Sequence, residues 1–215
     1  MVIAAKTVRM VRATGKRKSS AAPRDTQRRR EELVEIACRV FAEKGFEGAT
    51  LQDIADEFGV LKGSLFHYIQ SKDDLLYEII EGVYLGAEDE IWSIAGGSGT
   101  AVSRLRELII AYVRYITDHQ PAVTVWLHDL TALDPARRRM IRKYEEHDRR
   151  RLVDLVTEAQ QEGGIAADAD PQLVALALLG AMNWVHRWFK PRGLSAREIG
   201  EEFSRLFVPQ PAAGE

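Results

Sequence analysis

At 215 residues and 46% hydrophobic side chains, the chain can bury a core and is long enough for one ordinary domain plus a small module, which excludes wholesale disorder. The net charge of −2 hides an asymmetry: residues 1–30 hold ten Lys/Arg and one acid, Asp25, a local +9 that leaves −11 for the rest. A lone cysteine, Cys38, excludes an internal disulfide and fits a reducing compartment and a packing role, since it sits among Ile36, Ala37, Val40 and Phe41.

Residues 1 to about 23, rich in Ala, Ser, Lys and Arg, carry no apolar period and end at Pro23, so they read as a disordered basic arm. Two readings of that arm stand: a polyanion contact strengthened by counterion release, or a solubilising tail. From Asp25, Leu33, Ile36, Ala37, Val40 and Phe41 recur at helical steps and stop before Gly45. Thr50 with Asp53 three residues on predicts the capped start of a short second helix ended by Gly59. Leu61–Tyr68 gives a third, and Ser71 with Asp74 opens a fourth over about 72–94, broken by the Gly96–Gly99 stretch.

A fifth helix carries Leu105, Leu108, Ile109, Tyr112, Val113 and Ile116. Pro121 starts a sixth, 135–162 forms a long charged seventh, Pro171 opens an apolar eighth to about Phe189, and a ninth spans about Ser195–Phe207. No stretch alternates with a period of two, so the expected fold class is all-α with about nine helices. The longest apolar run, Leu173–Met182, falls short of the ~20 residues a membrane span needs, and the N-terminus lacks the 7–15 residue apolar core of a secretory signal. A cytoplasmic location is therefore expected.

The segment TLQDIADEFGVLKGSLFHYIQSK over 50–72 carries the chemistry. Ile54, Ala55 and Phe58 form an inward face, Ala55 lets two helices cross closely, Gly59 supplies the turn, and Val60 and Leu65 lock the next helix. Lys62, Gly63, Ser64, Phe66 and His67 then face away from that core on a short helix, a placement that suits a major groove. FAEKGFEGAT, IADEFGV, LKGSLFHYI and SKDDLL together resemble the DNA-binding domain of the TetR family of repressors.

That resemblance implies a helix-turn-helix domain over 24–71 and a ligand-binding and dimerisation domain over 72–209. It places Thr50, Tyr68 and Lys72 at backbone phosphates, and Gln52, Lys62, Gly63, Ser64 and His67 near base edges. Phe66 stands where the family usually has Tyr, which leaves thymine-methyl packing or core packing as its role. Residues 44–72 hold three lysines against Glu47, Asp53, Asp56 and Glu57, so phosphate attraction is expected from the arm and from Arg28, Arg29 and Arg30. The implied partners are double-stranded operator DNA, a second copy of the chain paired through the last two helices, and a small effector that releases a repressor from a palindromic site.

The end of the chain, NWVHRWFKPRGLSAREIGEEF, is similar to family members that answer to acyl-coenzyme A thioesters. It implies Tyr112, Trp126, Trp184 and Trp188 for an acyl part and Arg187 for an acidic or phosphate group. A lipophilic drug is the rival ligand, core packing the rival role for the aromatics, and a surface ion pair the rival for Arg187. No phosphate loop, nucleophile elbow, paired cysteines or HExxH occurs, and the five histidines are scattered, so neither catalytic residues, nor a metal site, nor a cofactor is expected. A small-molecule enzyme of helical fold and a helical interaction protein are the alternatives.

Overall fold

The structure is a computed structural model that describes residues 24–209, so the expected arm over 1–23 lies outside the described residues. Within them the fold is all-α: α1 (Arg24–Lys44), α2 (Leu51–Phe58), α3 (Lys62–Leu65), α4 (Lys72–Ala87), α5 (Ala101–Asp118), α6 (Gln120–Asp129), α7 (Pro135–Gln161), α8 (Pro171–Trp188) and α9 (Ala196–Phe207). Helix starts follow the sequence signals. Thr50 and Ser195 each close a capping box, with Asp53 and Glu198 as the returning carboxylates, and the Asp170 carboxylate accepts from Gln172 N and Leu173 N.

Two features depart from the sequence reading. The third helix is shorter than 61–68, its regular part covering Lys62–Leu65. The fourth does not run as uninterrupted α-helix: beyond Ala87 comes a π-helical turn, Glu88–Trp92, then a last turn, Ser93–Ala95. Arg151 braces the π turn, donating to the Glu88 carboxylate at 2.7 and 2.9 Å and to the Trp92 carbonyl at 2.6 Å. An acceptor pulled towards a neighbouring cation in this way offsets part of the poorer backbone geometry of a π turn.

The described residues form two compact units, 24–86 with 119–142 and 87–118 with 143–209. In the first, α1 packs on α2 and α6, and Leu33, Ala37, Phe41, Ile54, Ala55, Leu65, Leu75, Leu76 and Ile80 are all but sealed from solvent. Each such side chain contributes roughly 1.5–3 kcal/mol by leaving water, with alanine contributing less. Cys38 belongs to this core, and burial pushes its thiol up to about 12, so it packs as a small apolar residue. In the second unit, α5 carries both α8 and α9. Gly200 lies so close to α5 that a Cβ there would stand 2.8 Å from Ile110 Cα. No helix of the described residues is long and apolar enough to cross a membrane.

Candidate nucleic-acid interface

The loop joining α1 to α2 is held from several sides. Gly45 adopts φ +72, and Gly48 admits no side chain, since a Cβ would lie 2.6 Å from the Lys44 carbonyl oxygen. Lys44 Nζ donates to Asp53 Oδ1 at 2.6 Å, while Asp53 Oδ2 accepts from the Thr50 backbone N–H at 2.8 Å and its hydroxyl at 2.7 Å. The bonds from Lys44 and Thr50 hold the Asp53 carboxyl well below the usual carboxylate range.

Lys72, half-buried at the start of α4, donates to the carbonyls of Phe46 at 2.7 Å and Ala49 at 3.0 Å and lies 4.2 Å from the centre of the Phe46 ring. Two of its three ammonium protons thus brace the loop, which leaves one for a phosphate. Asp129, at the end of α6, accepts the Phe46 N–H; burial raises its carboxyl and that hydrogen bond offsets part of the rise.

Beyond this frame, Gly59 turns the chain at φ +73 with its N–H on the Ala55 and Asp56 carbonyls, and Leu65 seats α3 in the core. Lys62, Gly63, Phe66 and His67 are exposed, and Ser64 is half-buried. Phe66 is 54% exposed, which decides against core packing for it. Thr50 and Gln52 are exposed at the start of α2, although the Gln52 amide rests on Asp56 Oδ1 at 2.7 Å. Tyr68 is half-buried, its ring edge-on to Phe58 at 5.6 Å. The structure therefore brings the nine DNA-contact candidates onto one small module.

The arginine cluster behaves differently from the sequence expectation of a basic patch. Arg29 pairs with Glu32 at 3.1 Å and stacks 4.4 Å over the Phe58 ring, and Arg30 is paired with the buried Glu78. Both guanidinium groups serve the folded module, so less of the positive field is available to phosphates than the bare residue count implies.

The effector candidates divide between the units. Trp126 is half-buried in the first, its ring edge-on to Tyr84 at 5.3 Å. Tyr112 lies inside the second, its hydroxyl donating to Asn183 Oδ1 at 2.9 Å, and burial pushes that phenol well above its usual range, so it stays protonated. Trp184, Arg187 and Trp188 are instead exposed along α8, on the same side as Leu173, Leu176, Ala177 and Gly180. Their spacing of three, four and seven residues makes one continuous helical stripe. Among the described residues no His/Cys/Asp/Glu group has the arrangement to hold a metal ion.

Residues 33–79 match the bacterial regulatory proteins of the tetR family, and residues 98–210 match the tetracyclin repressor-like C-terminal domain. The chain belongs to the TetR family. It is accordingly a DNA-binding transcriptional regulator, and its α2–turn–α3 segment is the family's helix-turn-helix. The transcriptional repressor KstR2 of Mycobacterium tuberculosis is 30% identical over 183 residues, covering 84% of this chain and 91% of KstR2. The solved structure of the ketosteroid transcriptional regulator KstR2 superposes with a TM-score of 0.78 at 29% identity, over 84% of this chain and 93% of that one. AibR in complex with isovaleryl coenzyme A and operator DNA also gives 0.78, at 28% identity over 84% and 98%.

Three residues of the TetR module were missed by the sequence reading. Gly48 and Asp129 act through the loop, and neither carries a local signal, because the Lys44 carbonyl and the α6 end are brought to them only by folding. Leu61 did carry one: it occupies the N-cap of α3, where Ser, Thr, Asp or Asn is usual, and makes no side-chain cap.

Proposed function

We propose that this regulator binds a palindromic operator as a homodimer and leaves it when a small hydrophobic or acyl-coenzyme A effector binds, acting in the cytoplasm as a repressor. The observation that carries the DNA half is the module's exposed edge: Lys62, Gly63, Phe66 and His67 with Ser64 beside them, set on a helix whose Leu65 is buried. Lys62 is suited to guanine, Gln52 to adenine and Phe66 to a thymine methyl, while Thr50, Tyr68 and the remaining proton of Lys72 are suited to phosphates. The likeness to KstR2 and to AibR bound to isovaleryl coenzyme A and operator DNA supports both the repressor role and the effector class.

On this reading, 24–71 is the reading head and 72–209 senses and dimerises. The α8 stripe of Leu173, Leu176, Trp184 and Trp188 with Leu206 of α9 is the pairing face, being the most extended exposed apolar surface of the two helices. Tyr112 with Asn183 and, in its own unit, Trp126 are the acyl candidates. Arg187, at the end of the pairing stripe, is the candidate for an anionic effector group. With Arg29 and Arg30 engaged, the basic arm over 1–23 supplies the extra phosphate attraction.

The test begins with selection of duplexes by the full chain from a random pool, followed by anisotropy titrations with the winner. Two chains should bind per duplex, with an affinity that falls linearly with the logarithm of salt. Isovaleryl-coenzyme A, longer acyl-coenzyme A esters, free acids and a lipophilic dye are then added in turn. Release by the thioesters and not by the dye is the expected result; release by the dye alone contradicts the effector class, and failure to enrich any duplex contradicts the DNA reading.

A further inference from the structure

Leu61 is the most exposed large hydrophobic side chain among the described residues, at 81%, and it stands at the entrance of the reading helix. Its backbone is extended, with φ −69 and ψ 143, and its carbonyl accepts the Ser64 N–H at 2.8 Å, so the main chain closes the turn while the side chain makes no cap. A serine or threonine there would satisfy one more amide of the first turn, and a buried leucine would gain from leaving water. This leucine does neither. Single exposed leucines are ordinary on a protein surface. What sets this one apart is its company: Lys62, Gly63 and His67 are exposed beside it in sequence, and no added Cβ at Gly63 would meet any neighbour, so the edge is narrow and open.

On a surface that meets DNA, the chemistry of the partner limits what such a side chain can do. Phosphates and sugars offer a leucine little, because they are best left in water. The floor of the major groove offers donors and acceptors on every base and a single apolar group, the C5 methyl of thymine. Resting on the DNA-binding reading above, we infer that Leu61 is a specificity-determining residue that packs against a thymine methyl in each operator half-site. Phe66, 54% exposed at the other end of the same short segment, addresses a separate methyl. The half-site is then read by two apolar contacts flanking the polar contacts of Lys62, Ser64 and His67, and it carries thymines at both flanks.

Replacing thymine by deoxyuridine deletes that methyl and leaves every hydrogen-bonding group in place. The selected duplex is therefore rebuilt with deoxyuridine at one thymine position at a time, in both half-sites together, and titrated with the full wild-type chain and with Leu61→Ala. One position should weaken wild-type binding about 15-fold, from about four-fold per methyl in each half-site. Leu61→Ala should bind the all-thymine duplex weaker by a similar factor and show no further loss at that position, while keeping its sensitivity at the others. Leu61→Ser serves as a second variant, because it restores a capping side chain and so keeps the fold while removing the apolar contact. Identical deoxyuridine profiles for wild type and both variants overturn the assignment to Leu61, as does a wild-type profile flat at every thymine. A pool that yields no enriched duplex sinks the DNA reading itself, and is recognised before any deoxyuridine is introduced.

Discussion

Leu61 and Phe66 stand exposed on either side of Lys62, Gly63 and Ser64, so the apolar groups of this edge are separate and set among polar ones. On α8, by contrast, Leu173, Leu176, Ala177, Gly180, Trp184 and Trp188 follow one another at helical spacing with nothing charged between them until Arg187. A continuous stripe can exclude water along its whole length and is matched by another protein face, whereas isolated side chains can be matched only by isolated apolar groups. Exposure alone therefore does not identify a partner; the spacing of exposed apolar groups does.

The strongest attempt to break this contrast is Trp184→Glu. A charge in the middle of the stripe should convert the dimer to monomer in sedimentation, and operator affinity should fall by more than about 100-fold, because two reading heads no longer act together. A dimer with unchanged affinity would place the pairing face elsewhere. Next comes Gly48→Ala, where the new Cβ meets a backbone carbonyl that cannot swing aside. It should destabilise the chain by about 2 kcal/mol and weaken DNA binding while sedimentation still reports a dimer.

Asp148 provides a pH test confined to the second unit. Burial raises its carboxyl to about 7, against the pull of Arg151, with Glu88 adding to the rise and the Trp92 indole N–H lowering it. The unfolded chain's aspartate titrates near 4, so the folded state holds this proton more tightly. The contribution of Asp148 to stability is therefore greatest below about pH 4, is lost as pH rises towards 7, and is flat beyond. Asp148→Asn should remove that slope and raise stability at pH 8 by on the order of 1 kcal/mol, read as a rise of a few degrees in Tm, with DNA affinity unchanged. The smallest effect sharpens the contrast from the other side: Leu61→Ser should raise Tm slightly through its new cap while lowering operator affinity.

Most of the architecture was legible because its signals are local. Helix starts at Thr50, Ser71, Pro121, Pro171 and Ser195 and stops at Gly45, Gly59 and Gly96 fall where the capping residues, prolines and glycines put them. The π turn was not legible, since the Arg151 that braces Glu88 and Trp92 lies some 60 residues away in sequence. For the same reason the sequence revealed the type of Lys72 and Arg30 without revealing their engagement: carbonyls of Phe46 and Ala49, and the carboxylate of Glu78, come to them only on folding. Trp184 and Trp188 show the limit most plainly, because aromatic residues at helical spacing look alike whether they line a core, a pocket or a pairing face.

The central claim is that the edge of α3 reads bases. The most direct measurement is the ratio of affinities for the selected duplex and a scrambled duplex of the same length, at one salt concentration, for the wild-type chain and Lys62→Ala. The account predicts that the ratio drops at least ten-fold in the variant, mainly through loss on the selected duplex, in line with ~1–3 kcal/mol for one base contact in each of two half-sites. Equal weakening on both duplexes, with the ratio unchanged, would make Lys62 a phosphate contact and contradict the claim.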